Sequence, residues 1–229
     1  MNILKRFRIR EIIIFLCILL LFYLSPYLQY IPIKLLNWDL SKISASQNIM
    51  LMTFSNLCLL VVYFIIYFHS LRKDFNTFKS DVMSNLNTAL KYWILGLVLM
   101  FVTNFIIIIF NGSMAGNEES VRKMVDVLPL LMLVNAGFIA PFNEEIIFRK
   151  SLGDIFKNKW LFVFFSFLLF GGAHVIGNIN TWLDLLYIIP YGALGGAFAL
   201  AYRETDSIFT SVIMHMFHNT LMVTLLILL

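Results

Sequence analysis

The sequence predicts an all-α protein, a polytopic transmembrane bundle of about seven spans. Three observations predict it. Hydrophobic residues make up 60% of the 229 residues and charged residues 13%, and the mean hydropathy is +0.86, far from a soluble globular chain. Apolar runs of about 20 residues, the length a helix needs to cross a bilayer, recur along the whole chain. None alternates in the manner of an outer-membrane β-strand.

The first run, Ile12–Ile31, follows Lys5, Arg6, Arg8 and Arg10 as the core of a signal peptide would. No small-residue cleavage site follows it, and the apolar run continues past Pro26, so a retained helix is expected. Ile49–Phe68 and Leu90–Phe110 come next. The polar stretch Asn111–Asp126, with Glu118 and Glu119 beside Arg122 and Lys123, reads as an external loop. Val127–Phe156 is apolar but interrupted by charges, and Trp160–Ile176, Trp182–Tyr202 and Ser207–Leu229 complete the set. In the sixth span, Pro190 and the run Gly192-Ala-Leu-Gly-Gly196 predict a kink and close helix packing. Cys17 and Cys58 both fall within spans, which implies no disulfide framework and no Cys-x-x-Cys metal site. One membrane domain over residues 1–229 is expected, with residues 1–120 free of recognisable motifs and residues 128–219 carrying the chemistry.

The basic residues set an orientation. With the N-terminus in the cytoplasm, the inner group is Lys5, Arg6, Arg8, Arg10, Arg72, Lys73, Lys79, Lys91, Arg149, Lys150, Lys157, Lys159 and Arg203, 13 of the 17 Lys and Arg. Lys34, Lys42, Arg122 and Lys123 remain outside. The net charge of +4 therefore reflects topology and contact with anionic membrane lipid, and no nucleic-acid partner is expected.

The informative residues are the polar ones inside the spans. Glu144 and Glu145 stand side by side in Ala140-Pro-Phe-Asn-Glu-Glu-Ile-Ile-Phe-Arg149, two of only six glutamates in the chain. A carboxylate at membrane depth is costly and marks a candidate functional site. Glu145 and Arg149, at i and i+4, share a helix face, while Glu144 is rotated by about 100° from its neighbour. Arg149 is thus expected to neutralise Glu145 and to leave Glu144 free. The fifth span carries Phe170-Gly-Gly-Ala-His174, and the last carries His215-Met-Phe-His218-Asn219, with His215 and Asn219 again on one face. His69 falls at the cytoplasmic end of the second span, as an interfacial residue would. Counted from a cytoplasmic turn near Lys159, Glu144 and His174 both lie about 22 Å along antiparallel neighbours at 1.5 Å per residue. His215 and Asn219 lie about 14 and 20 Å in from Asp206. Singly, each of these groups reads as a packing residue, a border ion pair or interhelical glue. Their common depth on three helices favours one site.

A carboxylate, two histidines and an asparagine suit hydrolysis. The carboxylate can act as general base to a water and a histidine can hold that water. His and Asn donors can stabilise an oxyanion. A Glu/His/His set can also hold zinc with an open position, although no His-Glu-x-x-His lies on one helix.

Taken together, Glu-Glu-x-x-x-Arg (Glu144, Glu145, Arg149), Phe-x-x-x-His (Phe170, His174) and His-x-x-x-Asn (His215, Asn219) resemble the CPBP family of intramembrane proteases over roughly Leu128–Asn219. That family holds the CAAX prenyl endopeptidases and Abi-type bacterial relatives tied to bacteriocin immunity and peptide maturation. The resemblance implies that Glu144 and His174 activate a water, that His215 and Asn219 form the oxyanion site, and that Glu145, Arg149 and Phe170 support them. It leaves a metal requirement open, with Glu144, His174 and His215 as the zinc ligands if one is bound. A small, basic, Phe- and Ile-rich chain fits a bacterial plasma membrane, so the expected substrate is a membrane-associated or secreted peptide or protein, such as a leader-bearing or signalling peptide, more than a literal CAAX protein. The alternative is a non-proteolytic membrane regulator, for example a partner of a sensor kinase or a bacteriocin-immunity protein. A transporter with Glu144 as proton relay is disfavoured, because no inverted repeat is visible.

Overall fold

The computed structural model describes residues 9–229, so Lys5, Arg6 and Arg8 of the expected cytoplasmic basic group lie outside the described residues. Among the described residues there are helices and no strands, and seven helices are long and apolar enough to cross a membrane. They are α1 (Ile9–Leu35), α2 (Ala45–Ser80), α3 (Val82–Asn111), α5 (Pro129–Ile155), α6 (Lys159–Asn178), α7 (Trp182–Thr205) and α8 (Ile208–Leu228). Five of them contain an expected apolar run whole, most with residues added at the ends, whereas α5 and α8 fall one or two residues short of the expected Val127–Phe156 and Ser207–Leu229. The additions come from polar residues that bond the free backbone groups of helix ends. Ser44 and Gln47 form a capping box at the start of α2, Asp81 caps α3, and Asn158 caps α6.

The stretch 111–126 departs from the expected loop. Gly112, at φ 73°, ends α3 in the left-handed conformation that favours glycine, and Gly116–Val127 then forms a further helix, α4. Two i,i+4 ion pairs, Glu118–Arg122 at 2.7 Å and Glu119–Lys123 at 2.6 Å, support it on its exposed face. Its other face buries Val125 against Ile49, Met132 and Val223.

A second departure concerns Lys150, which the charge distribution places among the cytoplasmic border residues. Its side chain is instead buried, and Nζ pairs with Asp74 of α2 at 3.0 and 3.2 Å. Asp74 also accepts from the backbone N–H of Ile208 at 3.4 Å, and its carbonyl accepts from Ser207 Oγ at 2.8 Å. One carboxylate thus joins α2 and α5 to the first turn of α8, where a negative charge is favoured.

The expected close packing in α7 is present. Gly195 lets Phe170 of α6 lie against the α7 backbone, where a Cβ would sit 3.0 Å from the Phe170 side chain. A Cβ on Gly171 would fall 2.4 Å from the Ile188 carbonyl oxygen. Gly171→Ala is therefore expected to push α6 and α7 apart, at a cost of about 1–3 kcal/mol, read as a lowered melting temperature of the detergent-purified protein. The largest core cluster, with Leu59, Tyr63, Ile146, Ile147, Phe162 and Phe170, lies among α2, α5 and α6. Large apolar side chains such as Val98, Phe105, Leu130 and Phe164 are exposed on the outside, as lipid-facing residues are.

Candidate active site

Helix α5 is not a regular helix where it carries the glutamates. Asn135–Ile139 and Ile146–Ser151 are π-helical turns, and the α-helical segment Ala140–Glu145 lies between them. Such turns cluster at functional sites because they re-aim side chains without ending the helix. The first turn leaves one backbone acceptor free. Ala140 N–H bonds to Asn135 O across five residues, so the next bond in that register would run from residue 141 to Ala136 O. Residue 141 is proline, which has no N–H. The orphaned Ala136 carbonyl accepts from Asn219 Nδ2 of α8 at 2.9 Å.

Glu145 points into the protein and is fully buried. Its Oε1 accepts from His215 Nδ1 at 2.9 Å, and its Oε2 lies 3.1 Å from Arg149 Nε. Arg149 is also fully buried, with its guanidinium 4.5 Å over the Phe170 ring and 5.7 Å from the Phe198 ring. Compensation of this charge rests on Glu145 and on the two ring faces.

Glu144, one residue earlier, faces the two histidines. Its Oε2 lies 3.9 Å from His174 Nε2 and 3.7 Å from His215 Nε2, and it is buried without a hydrogen-bond partner. The tautomers follow from the other ring nitrogens. A carbonyl and a carboxylate can only accept, so His174 Nδ1–H donates to Phe170 O at 2.9 Å and His215 Nδ1–H donates to Glu145 Oε1. In the neutral rings both Nε2 atoms are then lone pairs. Three acceptors converge, whereas a water brings two hydrogens, so one further proton or a cation balances the triangle. Ring stacking fixes the two imidazoles: His174 lies against Tyr191 at 4.8 Å and His215 against Phe198 at 4.9 Å between centroids.

The donor types fit zinc, including the Nδ1–H bonds that orient metal-binding histidines. The two measured separations exceed the roughly 3.3–3.4 Å expected between ligands about 2.0–2.1 Å from a tetrahedral ion. Among the described residues no group of three His, Cys, Asp or Glu is already gathered at metal-binding distance.

The structure therefore brings Glu144, His174 and His215 together, and it places Glu145, Arg149 and Phe170 directly behind them. Asn219 differs from the expectation in one respect: one of its two amide hydrogens goes to Ala136. It nonetheless lines a cavity of about 510 Å³ together with His174, His215 and His218. His218 is the residue that sequence reasoning passed over. It is buried, and Trp93 Nε1 of α3 donates to its Nδ1 at 3.3 Å. In the neutral ring this leaves Nε2–H as a donor. The signal for it was Trp93 itself, since an indole N–H inside an apolar span needs an acceptor. His69 is exposed with its ring edge against Phe68, but it does not end its helix as expected, because α2 continues to Ser80. Helices before residue 120 also reach the site through amides: Asn143 Nδ2 donates to Asn56 O, and Asn56 Nδ2 donates to Asn135 Oδ1, both at 2.9 Å.

Comparison with known proteins points the same way. The family described as Type II CAAX prenyl endopeptidase Rce1-like matches residues 126–221, close to the span of the three motifs. The chain is 27% identical over 143 residues to the protein named "Putative membrane peptidase YdiL" of Bacillus subtilis, which covers 55% of each chain. It is 23% identical over 172 residues to "UPF0177 protein YvdC" of Lactococcus lactis, which covers 69% of this chain and 63% of the relative. The chain thus spans between about half and two thirds of the length of these relatives. No solved structure matches it. With seven apolar helices the chain is a multi-pass membrane protein, and its residues 126–221, within which the three motifs fall, are similar to the Rce1-like family.

Proposed function

We propose that the chain is an intramembrane endopeptidase in which Glu144 activates a water against a peptide bond of a membrane-associated peptide or protein. The observation that carries this reading is the orphaned Glu144 Oε2, faced at 3.7 and 3.9 Å by two imidazole Nε2 atoms that are left as lone pairs because each ring's Nδ1–H is engaged elsewhere. A water in that triangle donates to the lone pairs. As it attacks the carbonyl carbon, its proton passes to Glu144, and the carbonyl oxygen takes up the negative charge. The free N–H groups of His218 and Asn219 line the same cavity and stabilise that oxyanion. Collapse of the intermediate breaks the C–N bond, and the leaving amine takes the proton held by Glu144. His174 and His215 hold the water in line, and Glu145 and Arg149 hold His215. Zinc, if bound, would be held by Glu144, His174 and His215 and would supply Lewis acidity at the water.

The test is incubation of the purified protein in lipid nanodiscs with a set of membrane-anchored synthetic peptides, read by mass spectrometry. New fragments with wild type and none with Glu144→Gln are expected. Cleavage by both proteins alike would remove Glu144 from the chemistry. His218 provides a second check. His218→Phe keeps an aromatic ring but loses the N–H, so turnover is expected to fall about 10²-fold, with some loss of stability because Trp93 Nε1–H is left without its acceptor. Trp93→Phe, which frees the tautomer, is expected to fall less. Steady-state rates at saturating peptide measure both.

A further inference from the structure

The cavity has a direction. Its inner end is formed by His174, His215 and His218, and its other end by Asn117, Glu118 and Arg122 of α4. Between them it is walled by the later half of α3, at Met100 and Asn104, and by the later half of α8, at Met222 and Leu226. The walls and the α4 end lie toward one side of the bundle, the side bearing the 112–128 and 178–182 connections, while His215, seven residues into α8, lies deeper. The short turns at 80–82, 155–159 and 205–208 lie on the other side.

The two sides differ in charge. Among the described residues, Arg10, Arg72, Lys73, Lys79, Lys91, Arg149, Lys150, Lys157, Lys159 and Arg203 fall on the half with the short turns. Only Lys34, Lys42, Arg122 and Lys123 fall on the half with the cavity mouth. Lys and Arg mark the cytoplasmic side. From these two observations we infer that the active-site cavity opens to the extracytoplasmic face. Its substrate is then a peptide segment presented on the outer side of the membrane, either exported or part of an outward-facing juxtamembrane stretch.

The lining agrees with a peptide. The wall is mostly apolar apart from Asn104, and the charged and imidazole groups stand at its two ends, as in sites that take an apolar segment and fix its orientation. At the mouth, Glu118 and Arg122 bond each other at 2.7 Å and remain partly exposed, so they offer an incoming chain one acceptor and one donor. The inference rests on the proteolytic reading for the word substrate, whereas the side on which the cavity opens does not depend on catalysis.

The experiment uses the full chain with Cys17→Ala and Cys58→Ala, carrying single cysteines in turn at Asn104, Met222, Lys123 and Lys157. Intact bacterial cells expressing each variant are treated with a membrane-impermeant maleimide, and a second set is treated after permeabilisation. Lys123 and Lys157 are exposed on opposite sides and serve as side markers. The expected result is labelling of Asn104→Cys, Met222→Cys and Lys123→Cys in intact cells at least ten-fold above Lys157→Cys, which labels only after permeabilisation. Labelling of the two cavity positions together with Lys157, or of neither cavity position from outside, overturns the inference. A variant that fails to accumulate is replaced by Phe101→Cys or Leu226→Cys, which line the same walls. A second arm offers a single-span reporter with its test segment either outside or inside the cell. Cleavage of the inner one alone overturns the substrate assignment. Cleavage of neither, with the labelling as expected, counts against the proteolytic reading and leaves the direction of the cavity standing.

Discussion

Glu144→Gln is expected to lower peptide turnover by about 10²–10⁴-fold, the range associated with loss of a general base, while the protein still inserts, folds and elutes as wild type. The substitution keeps the shape of the side chain. The oxygen facing the imidazoles has no hydrogen-bond partner in the fold, so the structure loses no bond when the carboxylate becomes an amide. An amide cannot take the proton of the attacking water. Glutamate one residue later is the contrast: Glu145 is bonded to His215 and paired with Arg149, so its replacement disturbs the fold and the chemistry together. Rates on any cleaved peptide, with size-exclusion profiles and melting curves of the same preparations, separate the two. A Glu144→Gln protein that is inactive and misfolded would place the residue in the structural scaffold.

Arg149→Ala is expected to have the largest effect on the protein itself. Breaking a buried pair by removing one partner costs about 3–5 kcal/mol, because the other charge is left uncompensated. Here Glu145 would keep its bond from His215 and lose its cation. The rings of Phe170 and Phe198 would lose the guanidinium packed on them. That cost is a large fraction of typical domain stability, so little folded protein should accumulate in the membrane. Arg149→Lys is expected to rescue only in part, since an ammonium lacks the planar face that stacks on two rings. Fluorescence-detected size exclusion of tagged variants measures accumulation. Wild-type levels and activity for Arg149→Ala would reduce the arginine to a topological charge.

Much of this was legible in the sequence, and for identifiable reasons. Helices that cross a membrane must satisfy their own backbone and be apolar for about 20 residues, so spans such as Trp182–Thr205 stand out in the chain. The pairing of Glu145 with Arg149 followed from i,i+4 spacing. The meeting of Glu144 and His174 followed from equal depth on antiparallel neighbours, and that of His215 with them from a similar layer. The rest depended on backbone register and on contacts distant in sequence. That Pro141 would orphan Ala136 O and engage Asn219 requires the π-helical turn, which spacing does not announce. Lys150 looked like a border charge because its partner, Asp74, lies 76 positions away. His218 and Trp93, 125 positions apart, could be paired only after α3 had been placed against α8.

The most direct test of Glu144-dependent proteolysis is a comparison of peptide termini in cells. A bacterial strain lacking its own copy is complemented with wild type or with Glu144→Gln at equal membrane levels. Surface and secreted peptides are then sequenced by mass spectrometry with their termini tagged. The expected result is a set of termini, each adjoining an apolar or juxtamembrane segment, that appears with wild type and is absent with Glu144→Gln. Identical termini in the two strains, with a phenotype of the deletion that both proteins restore, would contradict it and show that the cell uses the chain for something other than cleavage.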